Sequence, residues 1–529
     1  MKMNLQTLAF WLAVFLLTKP ALAGPYDDAV ATYTHRNYTA AQQLWRPLAE
    51  QGNAAAQYNL GVLYDNGQGV PQDDAEALKW YRLAANQGLA DAQFKLGAVY
   101  ENGQGVAQSD LEALQWYRLA AAQGFALAQY SVGFAYDNAR GVRRDVAEAA
   151  KWYRLAAEQG LASAQYSLGL MYDIGRGVLL DYAEAAKWYQ FAAGQGSIPA
   201  QSNLGVLYDK GRGAVQDYAK ALKWYRLSAD QGSASAQNNL GALYDEGKGV
   251  PQDYSVALKW YRLAAAQGSA AAQTNLGALY DSGHGVAQDA AEAAKWFRLA
   301  ADQAFASAQY SLGSMSANGR GVPKDEVEAA QWYRLAAVQG HVEAQYNLGT
   351  SYENGQGVPQ DHGKAAKWYR LAAEQGHTAA RFHLGVLYDN GQGVTQDYVE
   401  ALKWYRLAAA QSFAPAESNV GSMYEYGLGV PQDYVEAVKW YQLAADRGYA
   451  KAQYNLGIMY ANGRAVAQDF VTAHLWLDLA ALNLPALDPK DLDDAIANRD
   501  DIAARMTPEQ LGEAQRRAQE WRTTHANPK

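Results

Sequence analysis

The residue types that most often carry out catalysis or bind metals are sparse in this sequence. It has no cysteine, which excludes disulfides, thiolate nucleophiles and cysteine-based metal sites. Its eight histidines form no i, i+4 pair and no H-E-x-x-H motif, and no third ligand is apparent beside His341 and His377. The motif Ser-x-x-Lys of serine β-lactamases is absent, and no local signature marks a Ser-His-Asp set. We therefore predict no enzyme activity, no metal and no cofactor.

A glycine-rich string offers another kind of chemistry. Residues 67–72 read G-Q-G-V-P-Q, which resembles half of a nucleotide-binding fingerprint. A phosphate-binding loop follows a strand and has a third glycine, whereas this string follows a predicted helix, lacks that glycine and recurs along the chain. We predict no phosphate site here.

The string belongs to a unit that repeats every 36 residues. A Leu-Gly or Val-Gly pair keeps this spacing without a slip, and its glycines are Gly61, Gly97, Gly133, Gly169, Gly205, Gly241, Gly277, Gly313, Gly349, Gly385, Gly421 and Gly457. A fixed period in this range is typical of stacked supersecondary units. Below, a column is the set of residues at equivalent positions of the repeats, numbered by its member within residues 53–88.

Each repeat is predicted to contain two helices. The first runs from about Asn53 to Asn66, where Gly67 suits the left-handed residue that ends a helix. Glycine inside a helix costs ~1 kcal/mol relative to alanine. The invariant Gly61 therefore predicts that a neighbouring element packs too closely for a side chain.

The second helix is predicted to begin at Asp73. Its column is Asp in eleven repeats and Ser109 in the other, and both residues are good N-caps. Glu76, together with Glu at 112, 148, 184, 292, 328, 400 and 436, predicts a capping box in most repeats. The buried stripe of this helix is predicted to be Ala77, Trp80, Tyr81 and Ala84.

An acidic column occupies the end of the first helix. It contains Asp65, Glu101, Asp137, Asp173, Asp209, Asp245, Asp281, Glu353, Asp389 and Glu425. Acids at a helix C-terminus oppose the helix dipole, so another interaction must favour them. We expect hydrogen bonds from the exposed amides of the following loop, and the alternative is an acidic stripe that attracts basic partners or cations.

The two ends of the chain differ from the repeats. Residues 1–23 have a basic start, a ten-residue apolar run and an Ala21-Leu22-Ala23 site, which predicts a signal peptide cleaved after Ala23 and a periplasmic or secreted protein. Residues 24–52 are predicted to form an N-terminal partial repeat. Twelve full repeats are predicted over 53–484, followed by two capping helices in 485–529, near 490–505 and 508–523, with Thr507 as an N-cap.

Composition excludes further classes of function. The net charge of −9 argues against nucleic-acid binding, which needs an excess of Lys and Arg on one face. No stretch after residue 23 is apolar enough to cross a membrane. We expect a monomer.

The repeat pattern identifies a family. The string A-x-x-L-G-x-x-Y-x-x-G-x-G-V-x-x-D-x-x-x-A-x-x-W-Y-x-x-A-A-x-x-G resembles the Sel1-like repeat, a relative of the tetratricopeptide repeat, over about residues 26–484. The resemblance implies an all-α fold, an α-solenoid in which antiparallel helix-turn-helix repeats of 36 residues form a right-handed superhelix. It also implies that the inner face binds proteins, since known relatives act mostly as adaptors in signalling and in bacterial envelope or secretion pathways.

Binding specificity is expected where the repeats differ from one another. Column 58 is aromatic in eight repeats and polar at Ser202, Asn238, Thr274 and Ser418. Column 59 is mostly Asn, which matches the position from which related tetratricopeptide repeats hold a peptide backbone or carboxylate. The candidate partner-binding residues are Tyr58, Phe94, Tyr130, Tyr166, Asn203, Asn239, Asn275, Tyr310, Tyr346, Phe382 and Tyr454. The alternative is that the column-58 rings only pack between adjacent first helices.

The sequence thus predicts an exported, non-catalytic scaffold that binds peptide or protein partners, in the bacterial envelope. Two other functions stay open. One is an enzyme acting on β-lactams or peptidoglycan, as proposed for the Helicobacter cysteine-rich relatives, whose cysteines this chain lacks. The other is a secreted effector that binds host proteins.

Overall fold

A computed structural model describes residues 24–483 and 489–525. These residues fold into helices joined by short turns and loops, with no strand among them. The helices are α1 (Pro25–Thr34), α2 (Tyr38–Glu50), α3 (Ala54–Asn66), α4 (Asp74–Asn86), α5 (Ala90–Asn102), α6 (Asp110–Ala122), α7 (Ala126–Asn138), α8 (Val146–Glu158), α9 (Ala162–Ile174), α10 (Tyr182–Gly194), α11 (Ile198–Lys210), α12 (Tyr218–Asp230), α13 (Ala234–Glu246), α14 (Tyr254–Ala266), α15 (Ala270–Ser282), α16 (Ala290–Ala301), α17 (Ala306–Asn318), α18 (Glu326–Val338), α19 (Val342–Asn354), α20 (His362–Glu374), α21 (Thr378–Asn390), α22 (Tyr398–Ala409), α23 (Ala414–Tyr426), α24 (Tyr434–Asp446), α25 (Ala450–Asn462), α26 (Phe470–Asn483), α27 (Pro489–Ala504) and α28 (Pro508–His525).

The predicted all-α solenoid is confirmed. The two helices of each repeat pack against each other, and the second helix packs against the first helix of the following repeat. The chain divides into two compact units, residues 1–264 and 265–529. Within each unit the core consists mainly of small residues and leucines on the first helices and of alanines and one or two large aromatic rings on the second helices.

The ends of the helices follow the predicted stop and start signals, with one exception. Gly67 has φ +64° and ends α3, and the Asp73 carboxylate accepts hydrogen bonds from the backbone amides of Ala75 and Glu76. The predicted capping box is wrong. The Asp73 amide donates to the Tyr64 carbonyl at 3.0 Å, which leaves it no proton for Glu76, and the Glu76 carboxylate pairs with Lys79 at 3.1 Å instead.

The second loop glycine makes a contact between successive repeats. A β-carbon at Gly105 would lie 2.7 Å from the carbonyl oxygen of Asp74, the first residue of α4 in the preceding repeat. Glycine therefore lets the loop of one repeat lie on the start of the preceding second helix. In the last repeat Ala465 takes this position with φ +57°.

The glycine within the first helix has the packing role that the sequence predicts. A β-carbon at Gly61 would lie 2.7 Å from the ring carbons of Tyr81 and 3.3 Å from the Ala77 carbonyl. Tyr81 is fully buried and lies across the helix at this point. Its column is Tyr in ten repeats, Phe297 in one and Leu477 in the last, and glycine faces each of these described side chains.

A buried glutamine, which the sequence analysis did not identify, links most pairs of repeats, and Arg381 takes its place in one repeat, where it donates to the Ala373 carbonyl. Gln93 of α5 is 5% exposed, and its amide donates to the Ala85 carbonyl at the end of α4. Its own carbonyl accepts a hydrogen bond from Gln123 of α6 at 2.8 Å. The pair satisfies a buried backbone carbonyl at the junctions where it occurs.

One repeat replaces this glutamine pair with an ion pair. Glu417 and Arg447 stand where the other repeats mostly have Gln, and their side chains approach to 3.2 Å. Burial raises the pKa of the Glu417 carboxyl, and the Arg447 charge offsets only part of that rise. Glu417 is 2% exposed, so it depends on Arg447 to compensate its charge.

The C-terminal helices cover the last repeat. Ile502 of α27 is buried against Leu477 of α26, and Trp521 of α28 packs on Trp476 with ring centroids 6.2 Å apart. Thr507 and Gln510 exchange hydrogen bonds between side chain and backbone, which is a capping box at the start of α28.

The predicted signal peptide over 1–23 lies outside the described residues. Among the helices that are described, none combines the length and apolarity that crossing a bilayer requires.

Candidate functional site

The predicted binding residues lie on one face of the first helices, which we call the first-helix face and define by columns 58 and 59. Every candidate residue on this face is partly buried, and none is fully enclosed. The face is described separately for the two units.

In the first unit, each column-58 ring contacts the buried tyrosine of its own repeat. The ring centroids are 5.8 Å apart for Tyr58 and Tyr81, and 5.4 Å apart for Tyr130 and Tyr153. The same arrangement is found for Phe94 with Tyr117 and for Tyr166 with Tyr189.

The next repeat covers the other side of these rings. Phe125 lies at the start of α7 and packs on Phe94 at 5.3 Å, and Leu161 joins the same hydrophobic cluster as Tyr130. One edge of each ring therefore contributes to the junction between repeats, while the remainder is accessible to solvent.

In the second unit, histidines take the place of those covering residues. His341 stacks on Tyr310 with centroids 4.7 Å apart, and His377 stacks on Tyr346 at 4.5 Å. Each histidine also accepts a backbone hydrogen bond as the N-cap of its helix. At the junction after these two, a phenylalanine rather than a histidine covers the ring: Phe413 packs on Phe382.

Column 59 supplies amides that reach back to the tyrosines of the preceding repeat. Asn203 donates to the Tyr189 hydroxyl at 3.1 Å and also hydrogen bonds the Tyr166 hydroxyl. Asn239 bonds Tyr225 in the same way, and Asn347 bonds Tyr310 and Tyr333. The face therefore carries a row of amides fixed beside aromatic rings.

The tyrosines on this face remain neutral at physiological pH. Burial raises the pKa of the hydroxyl in Tyr58, Tyr130, Tyr166, Tyr310, Tyr346 and Tyr454. They can therefore donate as well as accept hydrogen bonds.

The acidic column has partners other than those that the sequence analysis expected. Its carboxylates accept hydrogen bonds from the buried tyrosine of the same repeat, for example Tyr117 to Glu101 at 2.6 Å and Tyr441 to Glu425 at 2.7 Å. The expected loop amides bond elsewhere: the amide of Gln104 donates to the Val99 carbonyl. The column is thus bonded to the repeat core through its buried tyrosines.

Cations of the next repeat neutralise several of these acids. Arg140 pairs with Glu101 at 2.9 Å, Arg176 with Asp137 at 2.5 Å, and Lys95 with Asp65 at 2.7 Å. This pairing weakens the alternative of an acidic stripe that attracts basic partners, because the charge is already compensated within the chain.

Two equivalent acids of the second unit have opposite pKa shifts. Burial alone would raise the pKa of Glu353, but hydrogen bonds from His383 and Tyr369 outweigh it and lower the pKa. Burial raises the pKa of Asp389, and the hydrogen bond from Tyr405 offsets only part of the rise. The difference follows from the presence of a histidine at column 59 next to Glu353.

That histidine marks a cluster that the sequence analysis did not assemble. His383 lies 3.4 Å from the Tyr346 hydroxyl and 3.4 Å from the Glu353 carboxylate, and its ring stacks on Tyr369. In the sequence, this cluster is indicated by the histidine at position 383, where column 59 is mostly Asn, close to His377. No group of three or more metal-binding side chains occurs within residues 24–483 and 489–525.

The remaining positions of columns 58 and 59 have different surroundings in different repeats. Ser202 is buried in column 58 and lies 3.3 Å from Ser235, oxygen to oxygen. Asn275 is partly buried at the start of the second unit. The Tyr454 hydroxyl accepts a hydrogen bond from Asn498 of α27, so the C-terminal helices cover part of this ring.

Comparison with family models gives a match over most of the chain. The model described as the Sel1 repeat matches twelve consecutive segments: residues 54–89, 90–125, 126–161, 162–197, 198–233, 234–269, 270–305, 306–341, 342–377, 378–413, 414–449 and 450–483. A search of curated protein sequences found no match.

Solved structures include similar proteins from bacteria. One is c5321, a protective antigen present in uropathogenic Escherichia coli strains that displays an SLR fold, with 35% identity, 85% of this chain and 95% of that chain covered, and a TM-score of 0.66. Another is a Sel1 repeat protein from Oxalobacter formigenes, with 34% identity, 60% and 93% covered, and a TM-score of 0.46.

Proposed function

Because the chain belongs to the Sel1 repeat family, which suggests a protein-interaction scaffold, we propose that it binds protein or peptide partners through its first-helix face. We further propose that it is non-catalytic, that it is exported by the segment 1–23, and that it works in the bacterial envelope.

One observation carries the proposal: the column-58 rings are not required for the repeats to stack. Ser202 and Ser418 replace the ring in two repeats, yet Tyr225 and Tyr441 beside them stay fully buried. The rings in the eight repeats with an aromatic residue in column 58 therefore add partly exposed aromatic surface that the fold does not require. Exposed tyrosine is enriched in protein recognition surfaces.

The amides of column 59 support the same role. Asn203 and Asn347 are held by tyrosine hydroxyls, so little side-chain entropy is lost when they bond a peptide. An amide both donates and accepts, so it can bond an extended backbone without regard to its side chains. Rings and fixed amides together suit a peptide laid along the first helices.

The test is affinity capture from envelope extracts after in-cell cross-linking. The variant carries Tyr166→Ser, Tyr310→Ser and Tyr346→Ser, which introduce a residue that the chain already uses in this column. We expect the captured partners to fall at least about tenfold while the helical circular dichroism is kept.

The matched control removes apolar surface elsewhere. Leu155, Leu299 and Leu335 lie on the second helices and are 43%, 48% and 46% exposed. Changing them to Ser should leave capture unchanged. Equal losses in the two triple variants, or no loss in the tyrosine variant, would reject the first-helix face as the binding surface.

Export is tested separately by fractionation. We expect the full chain in the periplasm with residues 1–23 removed, and a chain lacking 1–23 in the cytoplasm. Recovery of the full chain in the culture medium would favour the secreted effector over the envelope scaffold, and an uncleaved cytoplasmic chain would reject export.

A further inference from the structure

Two consecutive loops of the first unit expose large aliphatic side chains where the other repeats mostly have polar residues, proline or alanine, apart from Tyr426, which is equivalent to Ile174 and 64% exposed. Ile174 ends α9, Leu179 and Leu180 follow in the loop, and Val215 lies in the next loop. Their exposed fractions are 56%, 90%, 54% and 89%. We call these four residues the loop patch.

Two residues of the loop patch stand where other repeats have side chains that form stabilising hydrogen bonds. Asn102 and Asn138, equivalent to Ile174, each donate to the carbonyl four residues back at 2.9 Å. Gln216, equivalent to Leu180, donates to the Asp209 carbonyl at 2.7 Å. Ile174 and Leu180 can make neither bond, so stability of the fold does not account for them.

The loops that carry the patch are neighbours in the stack. The backbone of Gly213 lies against the backbone of Tyr182 and Ala183. These two residues directly follow Leu180 and Asp181. The Arg212 guanidinium lies over the Tyr182 ring at 5.5 Å. The Val215 loop therefore begins against the residues that directly follow the Leu179–Leu180 loop, so the two loops are adjacent in the stack.

Basic residues surround this surface although the chain as a whole is acidic. The loops over 138–145, 174–181 and 210–217 contain six, namely Arg140, Arg143, Arg144, Arg176, Lys210 and Arg212. Their acids are Asp145, Asp181 and Asp217, which the backbone amides of the following helices bind as N-caps. Arg140, Arg176 and Lys210 form ion pairs with Glu101, Asp137 and Asp209, so the charge available to a ligand comes from the exposed Arg143, Arg144 and Arg212.

We propose that the loop patch docks the protein on an anionic phospholipid bilayer. Leu179 and Val215 are almost fully exposed on protruding loops, so they can enter the boundary between headgroups and acyl chains. The arginines beside them then lie at the level of the lipid phosphates. An acidic protein would satisfy the charges, but it would need a cleft to enclose side chains that protrude this far, so a bilayer suits the shape better.

This surface is separate from the first-helix face, and its test does not depend on a protein partner. The purified chain without residues 1–23 is sedimented with vesicles of phosphatidylcholine alone or with about 30% phosphatidylglycerol. We expect binding only to the anionic vesicles, and loss of most of it at about 1 M salt, where charges are screened within ~3 Å.

The informative variant restores residues that the chain uses in the same columns of other repeats. It carries Ile174→Asn, Leu179→Pro, Leu180→Gln and Val215→Pro. We expect at least about a tenfold loss of vesicle binding, with a thermal midpoint that is unchanged or raised because the hydrogen bonds return. A second variant with Arg143→Ala, Arg144→Gln and Arg212→Gln should lose binding to a similar extent.

The control removes apolar residues of the same repeats outside the loops. Leu155→Ser and Phe191→Ser change side chains that are 43% and 50% exposed on the second helices, and they should leave vesicle binding intact. Absence of binding to anionic vesicles, or equal binding by the wild-type chain and the loop variant, would overturn the proposal. The proposal would also be overturned if the loop variant captured fewer acidic proteins than the wild-type chain while its vesicle binding stayed unchanged.

Discussion

The ring of Tyr189 occupies the space that a side chain at Gly169 would need. A β-carbon at Gly169 would lie 2.7 Å from the Tyr189 Cδ1 atom and 3.4 Å from the Ala185 carbonyl, in the repeat formed by α9 and α10. The same relationship recurs in the repeats of both units, and it explains why glycine persists inside a helix where alanine is intrinsically favoured.

Gly169→Ala should therefore destabilise the chain by about 1–3 kcal/mol, because the buried ring must shift. The matched control is Gly194→Ala at the end of α10, where no atom lies within 4 Å of the added carbon. That change should be neutral or slightly stabilising. Urea unfolding of both variants measures the difference, and equal effects would contradict the packing role of Gly169.

The cap of the second helix predicts another contrast. Asp145 accepts hydrogen bonds from the Ala147 and Glu148 amides, so Asp145→Ala should cost about 1 kcal/mol. Glu148 forms only an exposed pair with Lys151, so Glu148→Ala should cost about 0.5 kcal/mol or less. Hydrogen exchange at the start of α8 distinguishes the two variants. If Glu148→Ala lowered stability as much as Asp145→Ala, the result would support the capping box that the geometry rejects.

The ion pair of Glu417 and Arg447 predicts strong coupling. Arg447→Gln leaves a buried carboxylate without its cation and should cost about 3 kcal/mol or more. The double variant Glu417→Gln, Arg447→Gln restores the Gln pair that most repeats contain, and it should recover most of the loss. A double-mutant cycle from denaturant unfolding measures the coupling, and additive losses would show that the pair does not act as a unit.

The equivalent acids Glu353 and Asp389 should respond to pH in opposite ways. The pKa of Glu353 is lowered in the folded chain, so its stabilising effect is present above the unfolded pKa and is lost as pH falls through the folded pKa. Glu353→Gln should therefore cost about 1–2 kcal/mol at neutral pH, and less in acid.

The pKa of Asp389 is raised, so its contribution to stability is present below the unfolded pKa and is lost as pH rises through the folded pKa. Asp389→Asn keeps an acceptor for Tyr405 and removes the buried charge. It should raise the thermal midpoint at neutral pH and have little effect near pH ~3. Thermal unfolding of both variants between these pH values tests the pair, and shifts of the same sign would contradict the assignment.

The sequence predicted the features that depend on local geometry. The positions of Gly67 and Asp73 gave the ends of the helices, because left-handed residues and N-caps have strong residue preferences. The period of 36 residues predicted the stack, because each helix pair leaves an apolar face that only another pair can cover.

The partners of polar side chains were not predictable in the same way. Glu76 fits a capping box by spacing, but the Asp73 amide is already bonded to Tyr64, nine residues back across the loop. Asp65 bonds Tyr81 of the second helix and Lys95 of the next repeat, contacts that exist only after the helices pack. A single sequence does not reveal which of several donors lies nearest once the repeats are stacked.

The most direct measurement of the central claim is site-specific photo-cross-linking in living cells. A photoreactive phenylalanine replaces Tyr346 on the first-helix face in one strain and Leu335 on the second helix α18 in another. Tyr346 is partly buried beside His377, and Leu335 is 46% exposed, so the control position is accessible to passing proteins. We predict a discrete cross-linked protein from position 346 and none from position 335. Cross-links only from position 335, or the same products from both positions, would contradict binding at the first-helix face.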